Sequence, residues 1–421
     1  MPHTRRRCPV LSGRTLAGAA LAAAIALGIP GAPVAAAPPA VPLVGDSVRQ
    51  DETFLKVLDV PDAWTYANGA GVTVAVIDSG VDANHPDLQG QVLPGLDLVD
   101  PKDNGDNDLV GHGTTVAAII AGRSDDADGV VGIAPKAKIL PVRVLDERNR
   151  YDDAIIVAKG VRWAVDHGAR VINLSLGGNG SSSTLAAALD YAFAKDVVVV
   201  ACTGNQTGTG DDYGVWYPAR EPGVIAVAGM EKDGDTLWSG SITGKQTVVT
   251  APATQLVGAR PGGGYWKVQG TSFAAPMVAA TAALIRSRWP TMSAGDVINR
   301  IIKTAKDRGP AGRDPVYGFG EVNPTGALTA QLAPVFENPL DTTPSPGIAR
   351  FGSAPAPGQA QSAPDAKVDP PLPQGAEPGT GAAPQMTTPA SDHRGWWAAA
   401  TLFLISIVAA LLTIRRFSHT T

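Results

Sequence analysis

The sequence predicts an α/β protein in which a mostly parallel β-sheet carries helices on both faces. Short, continuous apolar runs are typical of strands that are buried on both faces. They alternate here with longer helical patterns, and such alternation is typical of parallel sheets covered by helices. The predicted strands are 71–78, 137–145, 169–176, 197–202 and 224–230, and the helical patterns are 114–122, 152–168 and 182–195.

The composition indicates one large domain together with segments that do not fold on their own. The chain has 421 residues, of which 48 are glycine and 35 are proline, and only 5% are aromatic. Its formal net charge is -5. Because phosphate binding needs a basic face, this charge argues against nucleic acid as a partner.

The N-terminus predicts export. A basic region, 1–15, precedes an apolar stretch at 16–29 and a run of small residues, which together predict a signal peptide over 1–36. A retained N-terminal anchor is the alternative, although the apolar stretch is shorter than the ~20 residues of a bilayer span. Residues 37–53 are too few for a self-folding inhibitory prodomain, since chains below about 40 residues rarely fold alone. We therefore expect an arm that packs on the globular domain predicted over 54–332.

The C-terminus predicts a membrane anchor on a long tether. Residues 333–394 are rich in proline, alanine and glycine, a composition that cannot bury enough apolar surface to fold. Residues 395–414 carry no charge and reach the length of a transmembrane helix. Arg415 and Arg416 begin the tail, 415–421, which the positive-inside rule places in the cytoplasm. The expected location is the cell membrane, with one span and the globular domain outside the cytoplasm.

Cysteine usage adds little to this prediction. The chain has two cysteines, Cys8 and Cys202. Cys8 lies in the predicted signal peptide, so the mature chain cannot form an internal disulfide. Cys202 ends an apolar run and is expected to be a buried small hydrophobic residue rather than a reactive thiol.

Two polar residues end predicted strands, where binding sites form in sheets of this kind. Asp78 follows the first apolar run and is soon followed by Gly80, which lets the backbone turn sharply. Asn205 follows the run that ends at Cys202. Taken singly, each could be an ordinary turn residue.

His112 is the strongest candidate among the six histidines because it stands between two glycines at a helix opening. An exposed loop histidine is the alternative interpretation. His85 lies in an apparent surface turn and is the only rival. The remaining histidines belong to the signal peptide, to a helix end or to the borders of the predicted anchor: His3, His167, His393 and His419.

Ser272 stands at the start of a small-residue helix that has Pro276 near its beginning. A hydroxyl at this position could cap the helix, or it could attack a substrate in the positive field of the exposed amides. Asp78, His112 and Ser272 together are the types that acyl transfer requires. They supply a hydroxyl, a base for its proton and a carboxylate that orients the base.

Five segments resemble successive landmarks of the subtilisin-like serine proteases. They are VAVIDSGVDANHPDL, GHGTTVAAIIAG, VINLSLGG, ACTGNQ and GTSFAAPMVAATAALI, in that family's order of Asp, His, Asn and Ser. The resemblance spans roughly residues 54–330 and implies a subtilisin-like fold. It also implies Asp78, His112 and Ser272 as the catalytic triad and Asn205 as the oxyanion donor.

The architecture narrows the resemblance further. A signal peptide, protease domain, proline-rich tether and single C-terminal helix are similar to those of the mycosins, membrane proteases associated with type VII secretion in actinobacteria. The segments VINRIIKTAKD and YGFGEVNPTGAL add local similarity. A type VII secretion membrane complex is therefore an expected partner.

The resemblance also implies a substrate-binding segment. Ser175, Leu176, Gly177 and Gly178 are expected to pair with an extended substrate, main chain to main chain. Residues 146–151 could form the opposite wall or be a solvated loop. The acidic stretches 100–108 and 124–129 could hold calcium but are more ordinary as solvated loops. We predict no metal and no cofactor.

Two functions follow from these residues. The chain is either a membrane-anchored serine endopeptidase that cleaves a few exported proteins, or chiefly a structural component of a secretion complex in which proteolysis is dispensable.

Overall fold

The computed structural model describes residues 47–341 apart from 101, 126–127, 152, 207–213 and 336. The predicted signal peptide, most of the tether, the membrane helix and the tail lie outside the described residues. Within them, no helix combines the length and the apolar character needed to cross a bilayer.

A seven-stranded sheet forms the centre of the domain, and every strand pairing in it is parallel. Its strand order is β2-β3-β1-β4-β5-β6-β7. Valine, isoleucine and alanine dominate these strands, and almost every strand residue is buried, as expected for a sheet covered on both faces. The strands are β1 Thr73–Asp78, β2 Leu96–Asp97, β3 Lys138–Arg143, β4 Val171–Leu174, β5 Val198–Cys202, β6 Ile225–Met230 and β7 Val249–Pro252.

Helices cover both faces of the sheet in two groups. Helices α4 and α7 pack on each other and on the strands, and α5 and α6 form a second such pair. The nine helices of the described residues are α1 Ser47–Asp51, α2 Thr53–Val57, α3 Val60–Ala63, α4 His112–Ala121, α5 Ala154–Asp166, α6 Ser183–Ala194, α7 Thr271–Arg288, α8 Ala294–Thr304 and α9 Pro324–Thr329. The predicted α/β fold with a mostly parallel sheet is confirmed.

Some elements were not predicted from the sequence. Strands β8 Leu256–Arg260 and β9 Gly264–Val268 form an antiparallel hairpin outside the main sheet. Trp266 on this hairpin lies against Gly111 and donates to Thr115 Oγ1 at 2.8 Å. The hairpin thereby covers the beginning of α4. Its glycine-rich turn and mixed polarity hide the strand pattern in the sequence.

The described part of the N-terminal arm packs on the domain. Val48 is completely buried, and Arg49 Nε donates to Gly129 O at 2.9 Å. The Glu52 carboxyl accepts from Val131 N at 2.9 Å through Oε1. Its burial raises the pKa of Glu52 to about 9. The arm therefore places the carboxyl group of Glu52 in a buried position, where the arm packs against the domain.

The chain also stays in contact with the domain beyond residue 332. Val335 N donates to Asp296 Oδ1 at 2.6 Å, and Asn338 Nδ2 donates to Gly223 O at 2.9 Å. Leu340 packs against the hydrophobic core. The beginning of the segment predicted as a tether is thus fastened to the folded part.

Candidate active site

Asp78 and His112 meet at the carboxyl edge of the sheet. Asp78 is the last residue of β1 and is completely buried. His112 Nδ1–H donates to Asp78 Oδ1 at 2.7 Å, and Ser79 N donates to the same oxygen at 2.8 Å. Because this contact uses the Nδ1 proton, Nε2 of the neutral imidazole carries none and can act as a base.

A glycine allows the helix that carries His112 to approach β1. His112 is the first residue of α4, and Gly113 follows it. A Cβ on Gly113 would overlap Gly80 O and lie 3.2 Å from Asp78 Cβ. The glycine after His112 is therefore required by the close contact between helix and strand.

Asp108 holds the loop before His112 and was not found from the sequence. Its Oδ1 accepts from Ser79 Oγ at 3.0 Å and from Gly111 N at 2.8 Å, and its Oδ2 accepts from Thr114 N at 2.9 Å. A carboxylate just before a helix is a common capping signal, so the position of Asp108 four residues before His112 could have indicated it.

The surroundings of His112 act on its pKa in opposite directions. Burial lowers the pKa of His112, whereas the charge of Asp78 and the hydrogen bond to it raise it. The net result is a pKa above the ordinary value. The imidazole is thus tuned to hold a proton more readily than a free histidine, which suits a base that must later return that proton.

Ser272 is the second residue of α7 and does not cap this helix, which corrects the capping interpretation. The cap position is Gly270, which makes no side-chain hydrogen bond. Pro276 has no amide proton to donate to the carbonyl of Ser272, four residues earlier. Ser175 Oγ donates to that carbonyl instead, at 2.6 Å. The backbone of Ser272 is therefore fastened to the end of β4.

The side chain of Ser272 contacts Cys202, and the residue after it, Phe273, contacts the imidazole of His112. The ring centroids of His112 and Phe273, the next residue after Ser272, are 5.2 Å apart. Within the described part of the chain, the Ser272 hydroxyl contacts Cys202 Sγ at 3.9 Å and makes no hydrogen bond to His112. Cys202 is fully buried and unpaired, as predicted, and burial raises the pKa of its thiol to about 11.

Asn205 follows β5 and touches the start of α7. Its Oδ1 accepts from Thr271 N at 2.9 Å and from Thr271 Oγ1 at 3.0 Å. With Oδ1 occupied by two donors, Nδ2 is left as the donating end of the amide. Asn205 thus supplies the helix cap that Ser272 was considered for, and neither contact with Thr271 uses the N–H groups of its amide.

The predicted substrate-binding segment, 175–178, follows β4. Gly178 exchanges two backbone hydrogen bonds with Tyr217, at 2.8 and 3.0 Å, so its N–H is already used. Among the described residues, Ser175, Leu176 and Gly177 have no backbone partner for their N–H and C=O groups. Cys202 Sγ contacts the carbonyl of Leu176 at 3.9 Å, so the backbone groups of Ser175 and Gly177 are the ones open to pairing with an extended peptide, while Gly178 holds Tyr217.

His85 is not a rival to His112, and it does not lie on the surface. It is completely buried, and its Nδ1 accepts from Asp87 N at 3.2 Å. Its Nε2 lies 3.2 Å from Gly264 O, so it donates there. Both nitrogens are occupied, and His85 caps the short 3-10 helix Pro86–Leu88.

The acidic side chains of the two stretches stay apart in the described part of the chain. No group of three or more histidine, cysteine, aspartate or glutamate side chains converges there. Residues 126–127 of the second stretch lie outside the described residues. In the first stretch, Asp108 directs its oxygens at protein donors, as described above.

Comparison with known proteins identifies the family. A family model described as the Subtilase family matches residues 69–320. The chain belongs to the subtilase family. This subtilase is 38% identical to thermitase of Thermoactinomyces vulgaris over 276 residues, which are 66% of this chain and 93% of thermitase. It is also 38% identical to subtilisin DY of Bacillus licheniformis over 255 residues, 61% of this chain and 90% of that protein.

Solved structures of mycosins resemble this subtilase as well. The structure of MycP1 without its N-terminal propeptide matches with a TM-score of 0.58 and 31% identity, over 66% of this chain and 97% of that one. The MycP3 protease from the type VII (ESX-3) secretion system matches with a TM-score of 0.60 and 31% identity, over 72% and 98%. The predicted resemblance to subtilisin-like proteases and mycosins is confirmed. This subtilase is a serine protease of the subtilisin type.

Proposed function

We propose that this subtilase is a membrane-anchored endopeptidase that cleaves exported proteins outside the cytoplasm and works with a type VII secretion system. The observation that carries the enzymatic part is the 2.7 Å hydrogen bond between His112 Nδ1 and Asp78 Oδ1, with the ring of Phe273, the residue after Ser272, against the same imidazole. Asp78, His112 and Ser272 are the proposed triad.

The proposed reaction begins with attack by Ser272 Oγ on the carbonyl carbon of a peptide bond. His112 Nε2 takes the hydroxyl proton, and Asp78 stabilises the imidazolium that forms. The Ser272–His112 hydrogen bond forms when substrate binds, since such contacts are often long in unliganded enzymes. Asn205 Nδ2 donates to the oxygen that becomes negative.

Collapse of this tetrahedral intermediate breaks the C–N bond and leaves an acyl-enzyme on Ser272. His112 gives its proton to the departing amine. Water then attacks the ester, His112 takes the proton of that water and returns it to Ser272 Oγ, and the new carboxyl end is released. The side chains used in these two steps all belong to this chain, and the attacking water comes from the solvent.

Two observations support the membrane and secretion parts of the proposal. The first is the uncharged segment 395–414, followed by Arg415 and Arg416. The second is the likeness to MycP3, which is described as part of a type VII secretion system. The location at the cell membrane, with the protease domain outside, rests on the sequence.

The enzymatic part is tested by labelling membranes that contain the full chain with a fluorophosphonate, which reacts with an activated serine far faster than with an ordinary one. We expect one adduct, on Ser272, that is absent from Ser272→Ala and strongly reduced in His112→Ala. Labelling of another residue, or equal labelling of Ser272 in His112→Ala, would overturn the assignment.

The secretion part is tested in cells. Mass spectrometry of exported proteins should reveal termini that are present with the intact chain and missing with Ser272→Ala. If secretion continues unchanged with Ser272→Ala but stops when the whole chain is deleted, the structural role is favoured over the proteolytic one.

A further inference from the structure

A tryptophan fills the space between the two segments that flank Ser272. Trp216 is 8% exposed, and its indole lies flat on Gly204. A Cβ on Gly204 would come within 2.6 Å of Trp216 Cγ and Cε2. On the other side, a Cβ on Gly177 would lie 3.3 Å from Trp216 Cβ and 3.5 Å from Cε3. The side chain is therefore enclosed between these two glycines.

These glycines belong to the parts of the chain nearest the nucleophile. Gly177 follows β4, whose adjoining Ser175 donates to Ser272 O at 2.6 Å. Gly204 follows β5, whose last residue, Cys202, contacts Ser272 Oγ. Gly204 also directly precedes the proposed oxyanion donor. Both walls of the gap filled by Trp216 thus belong to segments that contact Ser272.

Substrate geometry assigns an occupant to this gap. During attack, the carbonyl carbon lies at Ser272 Oγ and its oxygen points to Asn205 Nδ2. The residue that contributes this carbonyl pairs its main chain with segment 175–177. Its side chain, one bond from the carbonyl carbon, must then project between segments 175–177 and 203–205. This is the space that the Trp216 side chain fills between Gly177 and Gly204.

Backbone hydrogen bonds hold Trp216 in place on both sides. Trp216 N donates to Thr203 O at 2.9 Å, which joins it to the end of β5. The adjacent Tyr217 is bonded to Gly178 as described, and its hydroxyl donates to Ser182 O at 3.0 Å. These bonds fix the backbone of Trp216, and the packing of its side chain against Gly177 and Gly204 holds the indole in the gap.

We propose that Trp216 determines the specificity of this subtilase by making the subsite for the residue before the cleaved bond shallow. Glycine, alanine and serine fit at this position, whereas phenylalanine, leucine and other large side chains would overlap the indole. The inference rests on the proposed function, because it takes Ser272 as the nucleophile. Overlap in a close-packed site is costly, since neither the substrate nor the indole can move aside.

The inference predicts a strong preference that a single substitution reverses. In a hydrophobic pocket, one methylene alone changes kcat/KM by about 10–200-fold. We therefore expect the wild-type enzyme to cleave after alanine at least about 100-fold faster than after phenylalanine. Trp216→Ala should open an apolar cavity and reverse this ratio, and Trp216→Leu should give an intermediate ratio.

The experiment compares kcat/KM for peptides that differ only in the residue before the cleaved bond: alanine, serine, leucine or phenylalanine. The enzymes are the full chain, Trp216→Ala, Trp216→Leu and the control Trp163→Ala. Trp163 stacks on His167 at the end of α5. Because α5 leads directly into β4, this end lies at the amino edge of the sheet, opposite the site. The control should keep the wild-type ratio.

Fluorophosphonate labelling of Ser272 in each enzyme separates the two hypotheses. If Ser272 is labelled and the wild-type enzyme cleaves after phenylalanine as well as after alanine, the inference is wrong while the proposed function stands. If folded Trp216→Ala or Trp216→Leu keeps the wild-type ratio of kcat/KM for the alanine and phenylalanine peptides, the inference is likewise wrong and the proposed function stands. If Ser272 is not labelled and no peptide is cleaved, the proposed function fails first. Should neither Trp216 variant fold, the wild-type ratio alone decides.

Discussion

Ser175 Oγ donates a 2.6 Å hydrogen bond to the carbonyl of Ser272, which Pro276 leaves without an amide donor. Ser175, which follows β4, therefore supplies the donor that Pro276 cannot. It fixes the backbone that carries the proposed nucleophile to the strand end at which the substrate is expected to pair.

We expect Ser175→Ala to lower both stability and activity. The buried carbonyl of Ser272 loses its donor, which costs about 1–3 kcal/mol. Movement of Ser272 should lower kcat by up to about 100-fold, the effect of a 1 Å misplacement. Thermal unfolding and peptide hydrolysis measure the two effects.

The matched control for Ser175→Ala is Ser182→Ala. Ser182 Oγ caps α6 by accepting from Leu185 N at 3.2 Å. Its loss should cost about 1 kcal/mol of stability but leave kcat unchanged. If both variants lower kcat equally, the specific role of Ser175 is contradicted.

Two substitutions at Asn205 should separate its two roles. Asn205→Asp keeps an acceptor for Thr271 N but loses the N–H donor. Its stability should stay close to wild type, while kcat falls by about 10²–10³-fold. Asn205→Ala also loses the helix cap, so its free energy of unfolding should fall by about 1 kcal/mol. Equal kcat in wild type and Asn205→Asp would show that Asn205 is not the oxyanion donor.

The pH dependence of kcat/KM should reflect the raised pKa of His112. The base must be neutral to accept the Ser272 proton, so activity rises with pH through this pKa. We expect the midpoint above the ordinary value of 6.5. In Asp78→Asn, burial still lowers the pKa of His112, but the negative charge that raised it is gone, so the midpoint should fall. The same substitution should lower kcat by about 10⁴-fold. An unchanged midpoint in Asp78→Asn would contradict this explanation.

Glu52 should make the domain less stable as pH rises. Its pKa in the folded protein is about 9, against 4.5 for an ordinary glutamate. Since the folded state binds the proton more tightly, the stabilisation is complete below about 4.5 and is lost as pH rises through about 9. Within this window the free energy of unfolding should fall by up to about 1.4 kcal/mol per pH unit.

Glu52→Gln should flatten that slope, because its neutral amide takes up no proton. Denaturant unfolding at several pH values between 5 and 9 measures the slope. Glu147→Gln is the matched control, since Glu147 is exposed and should leave the slope as in wild type. Parallel slopes for wild type and Glu52→Gln would rule out Glu52 as the source.

The elements predicted from the sequence are those with a strong local signal. Strands such as β5, a continuous run of small apolar residues, are typical of buried strands. Their ends, and the polar residues after them, could therefore be located in the sequence. Asp78 and Asn205 were found in this way. Cys202 was expected to be buried for the same reason.

Other parts of the site depend on contacts between distant segments and leave no local pattern. The bond from Ser175 to Ser272 spans 97 residues, and the contact of Trp216 with Gly177 requires the sheet to be complete. His85 looked like a surface residue because its turn is polar, but the β8–β9 hairpin covers it. Predictions from one stretch of sequence cannot detect such coverage.

The position of α7 has a consequence for when hydrolysis can begin. Helix α7 packs on β4, β5, β6 and β7, and it delivers the last member of the proposed triad in chain order. A polypeptide that emerges from its N-terminus can form β1 and β4 while Ser272 is still inside the ribosome. Until the residues beyond 288 have emerged, the proposed nucleophile is not in place, so the newborn chain should be unable to cut itself or its neighbours.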